Sequence, residues 1–186
     1  MNDARAYFLR GSVVYLVGDN AGALADLAAS INLDPNNQAT YFNRGVAYYV
    51  IGGRIADAEA DFRKAVELDP KDVYAALWLD LAERRNGGAS HLREAAAHLD
   101  MTAWPAPLIR EFLGEANAGQ ALAAAHDDDP KTSTGRSCEA DFYSGEFALL
   151  TKNKQEGMRL LQRAARDCPR GYIEAPAATA ELIAQR

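Results

Sequence analysis

Histidines and aspartates are the side chains of this sequence that could bind a metal ion. His91 and His98 are seven residues apart, and His126 precedes the aspartates of 127–129. A metal site built from them would need ligands that converge from separate helices. We therefore interpret His91 and His98 as surface residues and 126–129 as part of a solvated loop, and we predict no metal site.

Two carboxylates, Asp26 and Asp61, could in principle act as an acid–base dyad. Each follows an alanine by three residues, and each has an "RG" arginine, Arg10 or Arg44, at a similar distance upstream. The twin spacing predicts two structural ion pairs, Arg10 with Asp26 and Arg44 with Asp61, that fix helix packing.

Other catalytic patterns are incomplete. The glycines of "IGGR" and "RNGG" lack the Lys-Ser/Thr that follows them in a phosphate-binding loop. The serine of "YSGEF" stands within a helical pattern, not between two glycines on a strand-to-helix turn. We predict no cofactor and no enzymatic activity; an enzyme on a helical-repeat fold is the alternative from another class.

The composition limits the classes of molecule that this protein is expected to bind. The 186 residues are 48% hydrophobic, with a net charge of −6 and no basic run, so we expect protein or peptide partners and no nucleic acid. No apolar window approaches the roughly 18 residues of a membrane helix, so we expect no membrane insertion by this chain. A homodimer is left open.

The candidate side chains lie within segments of the sequence that repeat. The phrase "NLDPNN" returns as "ELDPKD", and "YFLRG" returns 34 residues later as "YFNRG". Gly11 and Gly45 therefore occupy the same position of two copies, each with apolar residues at helical spacing on both sides of a glycine-containing turn. Each copy predicts a pair of antiparallel helices that approach closely at small residues.

Further copies follow in an all-α chain that we predict to be a single domain over 1–186. The predicted segments are repeats near 4–37 and 38–72, a degenerate repeat over 73–105 with Asp80 in the glycine position, short helices over 106–126, a polar loop over 126–137, a repeat over 138–169, and a capping helix over 172–186.

A period of 34 residues with glycine, aromatic, alanine and proline in this order resembles the tetratricopeptide repeat. The later motifs "LWLDLA", "CEADFYSGEFAL" and "IEAPAATAEL" resemble the bacterial NlpI-type lipoproteins of that class. The resemblance implies three to four repeats stacked in a right-handed superhelix. It also implies a non-catalytic envelope adaptor for a peptidase or peptidoglycan hydrolase; a cytosolic scaffold is the alternative.

The resemblance also implies a concave groove lined by the first helix of each pair, which binds a peptide or helix of a partner. Tyr15 and Tyr49 are the expected anchors, whereas Tyr48 is expected in the core. The candidate groove positions are Phe8, Ser12, Tyr15, Phe42, Val46, Tyr49, Leu77, Leu81 and Arg84. The alternative for each of them is core packing against the neighbouring repeat.

The two cysteines bear on the compartment. Cys138 opens the first helix of the last repeat and Cys168 closes the second, and in an antiparallel pair these ends are neighbours. We expect a disulfide, with two reduced buried thiols as the alternative. The chain begins without the apolar core of a signal peptide and without an N-terminal cysteine. We expect a periplasmic or envelope location if an upstream signal was removed, and a cytoplasmic one otherwise.

Overall fold

The computed structural model describes residues 3–186, which fold into helices without any strand. It divides into two compact units, 1–89 and 90–186, instead of the single domain expected from the sequence. The all-α fold of stacked helix pairs is confirmed.

The first unit contains two helix pairs and a fifth helix. The helices are α1 (Ala4–Leu16), α2 (Asn20–Leu33), α3 (Gln38–Ile51), α4 (Ile55–Leu68) and α5 (Val73–Arg85). Asp3, Asp19, Asn37 and Asp72 cap helix starts through their side chains. Gly18 and Gly52 follow α1 and α3 with φ of 87° and 72°, a left-handed conformation that glycine adopts without steric cost.

The second unit is built on one long pair. Its helices are α6 (Leu92–Ala95), α7 (Ala106–Phe112), α8 (Ala118–Ala124), α9 (Pro130–Leu150), α10 (Lys154–Asp167) and α11 (Glu174–Ala184), with a 3-10 turn over Ala96–His98. α11 packs on α10 and α9, and α7 and α8 pack on α9.

Glycines set the close approach within each full pair. A Cβ added at Gly11 would lie 2.9 Å from Leu27, one at Gly45 would lie 2.7 Å from Phe62, and one at Gly145 would lie 2.9 Å from Leu161. The three contacts occupy equivalent positions of the three repeats, because each large residue of the second helix packs directly on the glycine backbone of the first.

The predicted polar loop over 126–137 is wrong in its extent, since α9 begins at Pro130. Asp129 accepts a hydrogen bond from the backbone N–H of Thr132, and a proline at the first helical position suits a helix start. Polar residues on an exposed first turn look like a loop unless this start signal is recognised.

The degenerate repeat over 73–105 also differs from the prediction. Its first helix is α5, but its second is reduced to the four residues of α6 and the 3-10 turn that follows. Gly87 and Gly88 lie in the segment after α5, where the boundary between the two units also falls. The expected helix pair is therefore not formed there.

Candidate functional site

The first unit holds its two helix pairs with matching ion pairs. The Nε and Nη2 atoms of Arg44 donate to both carboxylate oxygens of Asp61 at 2.7 Å, and Arg10 bonds Asp26 in the same way at 2.5 and 2.6 Å. Arg44 also lies over the Tyr41 ring, 5.8 Å from its centroid. Both arginines thus join the helices of their own pair, as bidentate guanidinium–carboxylate bonds do.

The two aspartates differ in their surroundings. Hydrogen bonds from Arg10 lower the pKa of Asp26 below its ordinary value. Burial raises the pKa of Asp61, although the Arg44 guanidinium opposes the shift. Each carboxylate is occupied by its arginine, which leaves neither placed as half of a dyad.

Five of the nine candidate groove residues are buried in the first unit, which is the alternative of packing against a neighbouring repeat. They are Tyr15, Val46, Tyr49, Leu77 and Leu81. Leu77 and Leu81 lie on α5, which packs against α3 and α4 and covers the face of α3 that carries Tyr49, whereas Tyr15 lies on α1, which packs against α2 and α3. Trp78 of α5 lies between the rings of Tyr49 and Phe62, at centroid distances of 5.1 and 5.6 Å.

The assignment of Tyr48 and Tyr49 is reversed. Tyr49 is buried, whereas Tyr48 is half-buried beside the guanidinium groups of Arg44 and Arg54, at 5.8 and 4.4 Å from its ring centroid. The helical spacing separates the two faces correctly, but the position of α5 decides which face is covered.

The other four candidates keep part of their surface. Phe8 and Phe42 are half-buried at equivalent positions of α1 and α3. The Ser12 hydroxyl donates to the Phe8 carbonyl and accepts a hydrogen bond from the Asn43 amide at 2.7 Å, so it links the two helix pairs. Arg84 bonds Asp80 at 2.7 Å.

An exposed apolar stripe along α1 and its C-cap residue Val17 was not predicted from the sequence. Leu9, Val13, Leu16 and Val17 lie one to two turns apart, and Val13 and Val17 are 61% and 76% exposed. The residue of α3 equivalent to Val13 is Ala47, which is fully buried. The signal in the sequence was the VxxxV spacing outside the repeat's shared positions.

In the second unit, Cys138 and Cys168 form a disulfide with Cα atoms 4.8 Å apart. The bond joins α9 to the C-terminal end of α10. Ser144 of α9 stands where the earlier repeats have their arginine, and its hydroxyl donates to Glu111 of α7 at 2.6 Å. The ion pair of the first unit is thus replaced by a hydrogen bond to a different helix.

His91, His98 and His126 are exposed. Within residues 3–186, no group of three or more histidines, cysteines or acidic residues is arranged to hold a metal ion. None of the helices described over that range has both the length and the apolar character needed to cross a membrane.

Comparison with known proteins gives two findings. A family model described as "Tetratricopeptide repeat" matches residues 39–72, which span α3 and α4. A lipoprotein NlpI homolog from Haemophilus influenzae is 32% identical over 114 residues, 60% of this chain. The match covers 36% of that relative, so the chain spans about a third of its length.

Proposed function

We propose that this chain is a non-catalytic adaptor that binds a helix or peptide of a partner protein, which the tetratricopeptide-repeat match over residues 39–72 and the similarity to an NlpI homolog support. The pairing of Asp26 and Asp61 with arginines supports this proposal, since these charged groups serve helix packing. Repeat arrays of this kind use their extended surfaces for binding.

The observation that carries the proposal is the exposed stripe of α1. In the second helix pair Ala47, the equivalent of Val13, is fully buried, and α2 packs against α3. A partner helix on Leu9, Val13 and Val17 would remove the exposed side chains of α1 from solvent. An amphipathic helix docked through i, i+4 anchors is a common mode of peptide recognition.

The compartment we propose is the bacterial envelope, with a peptidase or peptidoglycan hydrolase as partner. The Cys138–Cys168 disulfide supports an oxidising environment, because such bonds are rare in the cytosol. The relative carries the word lipoprotein in its name, which supports the same location.

The test is partner capture from envelope and cytosolic fractions of the source organism in parallel. The wild-type chain is compared with Val13→Glu/Val17→Glu and with the control Ile183→Glu, whose isoleucine is also 61% exposed but lies on α11. We expect the wild type and the control to retain the same envelope protein and the double variant to lose it.

Retention by all three proteins would contradict the α1 surface, and capture only from the cytosolic fraction would assign the chain to a cytosolic scaffold. Circular dichroism of the three proteins checks that the substitutions leave the helices folded.

A further inference from the structure

The second unit contains an open cavity of about 560 Å³ with several charged lining residues. One wall is a face of α9 that carries Ser133, Ser137 and Asp141, spaced four residues apart, and another is formed by Arg163 and Asp167 of α10. The Cys138–Cys168 disulfide joins these two helices, and Cys138 itself lines the cavity. The two walls are therefore covalently tied.

Asp141 is the buried charge of this cavity. The residue is 3% exposed, and its Oδ2 atom lies 3.1 Å from Nε of Arg163. Its Oδ1 atom is buried and has no hydrogen-bond partner within residues 3–186. A buried carboxylate oxygen without a donor costs free energy, which a ligand donor would recover.

The pKa of Asp141 agrees with this environment. Burial raises the pKa of Asp141 to about 6, although the charges of Arg163, Arg159 and Arg166 oppose the shift. These arginines compensate the buried carboxylate incompletely, and a further positive group would favour its ionised form.

The charges that line the cavity favour a cationic ligand. Four aspartates line it, at positions 127, 128, 141 and 167, against the single lining arginine Arg163. Asp127 and Asp167 bond arginines that do not line the cavity. Asp128 and Asp141 are left to face a positive group.

We infer that this cavity binds a primary ammonium group, from a lysine side chain or a peptide amino terminus, with Oδ1 of Asp141 as its charged acceptor and the hydroxyl of Ser137 as a neutral acceptor. The inference concerns the second unit and is independent of the proposed role of α1.

An ammonium group fits the acceptors better than a guanidinium does. A guanidinium binds a carboxylate best through two parallel hydrogen bonds, but Arg163 already pairs with Oδ2 of Asp141. An ammonium is a compact charge whose three donors point in different directions. It can therefore reach one carboxylate oxygen of Asp141 and the hydroxyl of Ser137, which lies one helical turn away on the same face of α9.

The test is a nuclear magnetic resonance titration of the full, oxidised chain. The probes are Nα-acetyl-lysine methylamide for a lysine side chain, alanine amide for an amino terminus, and Nα-acetyl-norleucine methylamide as the uncharged match of the first. We expect saturable shifts of amides around residues 126–141 with at least one ammonium probe and none with the norleucine probe. The probe that binds more tightly identifies the source.

Asp141→Asn removes the charge with little change in shape, and we expect it to raise Kd about tenfold or more. Asp100→Asn, which alters an exposed carboxylate that does not line the cavity, is the matched control and should leave Kd unchanged. If the spectrum of Asp141→Asn is not native, Ser137→Val tests the inference instead. This substitution removes a neutral hydrogen-bond acceptor and fills part of the cavity. Equal binding of the norleucine probe, no saturable shifts in the wild type, or unchanged affinity in the folded cavity variant would overturn the inference.

Discussion

Tyr48 and Tyr49 stand side by side on α3 and differ in what a substitution should cost. Tyr49→Ala removes a ring that packs edge-on to Trp78, so we expect a loss of about 3 to 5 kcal/mol in the free energy of unfolding. Tyr48→Ala removes cation–π contacts with two arginines at a partly exposed site, and we expect about 1 kcal/mol. Chemical denaturation of both variants measures the difference. A larger loss for Tyr48→Ala would contradict the placement of α5 over this face.

Two buried glutamates of the second unit make stability depend on pH. Burial raises the pKa of Glu111 to about 7 and that of Glu174 to about 8, from an ordinary value of 4.5. At a pH between 4.5 and the raised pKa of each glutamate, the folded state keeps a proton that the unfolded state releases. The stabilisation is complete below about pH 4.5 and is lost as the pH rises through 7 and 8, so unfolding should become easier from pH 5 to pH 8.5.

The measurement is the unfolding free energy across that range, with Glu111→Gln as the comparison. The amide cannot ionise, so the variant should lose less stability than the wild type as the pH rises. If the stability of the wild type increased from pH 5 to pH 8.5, these carboxyls would not control how the unfolding free energy depends on pH.

At the scale of helices, the contacts at glycine residues set how closely the two helices of each pair approach. Gly45→Ala should destabilise the protein by about 1 to 3 kcal/mol, because its new Cβ meets the Phe62 ring at 2.7 Å. This loss exceeds the roughly 1 kcal/mol that alanine gains over glycine in helix propensity. Adding Phe62→Leu, the residue type that faces Gly11 in the first pair, should recover part of the stability. A stabilised Gly45→Ala variant would show that the helices do not approach this closely.

The disulfide fixes the α9–α10 pair. Its sequence separation of 30 residues corresponds to a stabilisation of roughly 3 to 4 kcal/mol in the chain-entropy treatment. Cys138→Ser/Cys168→Ser should lower the unfolding free energy by about that amount, as should a reductant acting on the wild type. A reductant should leave the double variant unchanged. Equal stability of oxidised and reduced wild type would contradict the bond.

The repeats were predictable because their signals are local. Glycine, alanine and proline at a period of 34 to 35 residues predict two helix pairs, and the antiparallel arrangement of the last pair brings two cysteines together. The first two turns of α9, residues 130–137, were predicted as a loop because their polar residues match a loop as well as an exposed helix. Recognition of Asp129 and Pro130 as a helix start was the missing step.

At the scale of the whole chain, the candidate site was harder to predict than the fold. Which face of α3 is covered depends on α5, a helix from a degenerate repeat with little sequence signal. Periodicity separates the faces of a helix but does not say which neighbour packs on each face. The burial of Tyr15, Val46 and Tyr49 therefore needed the structure, as did the exposure of the α1 stripe.

The most direct test of the adaptor proposal is site-specific photo-crosslinking in living cells. A photoreactive phenylalanine analogue replaces Val13 of α1 or, as the control, Ile183 of α11, two aliphatic residues of equal exposure. We predict a covalent adduct with a second protein from position 13 and none from position 183, with both chains folded and equally abundant. An adduct from position 183 alone, or none from position 13, would contradict the claim that α1 carries the partner-binding surface.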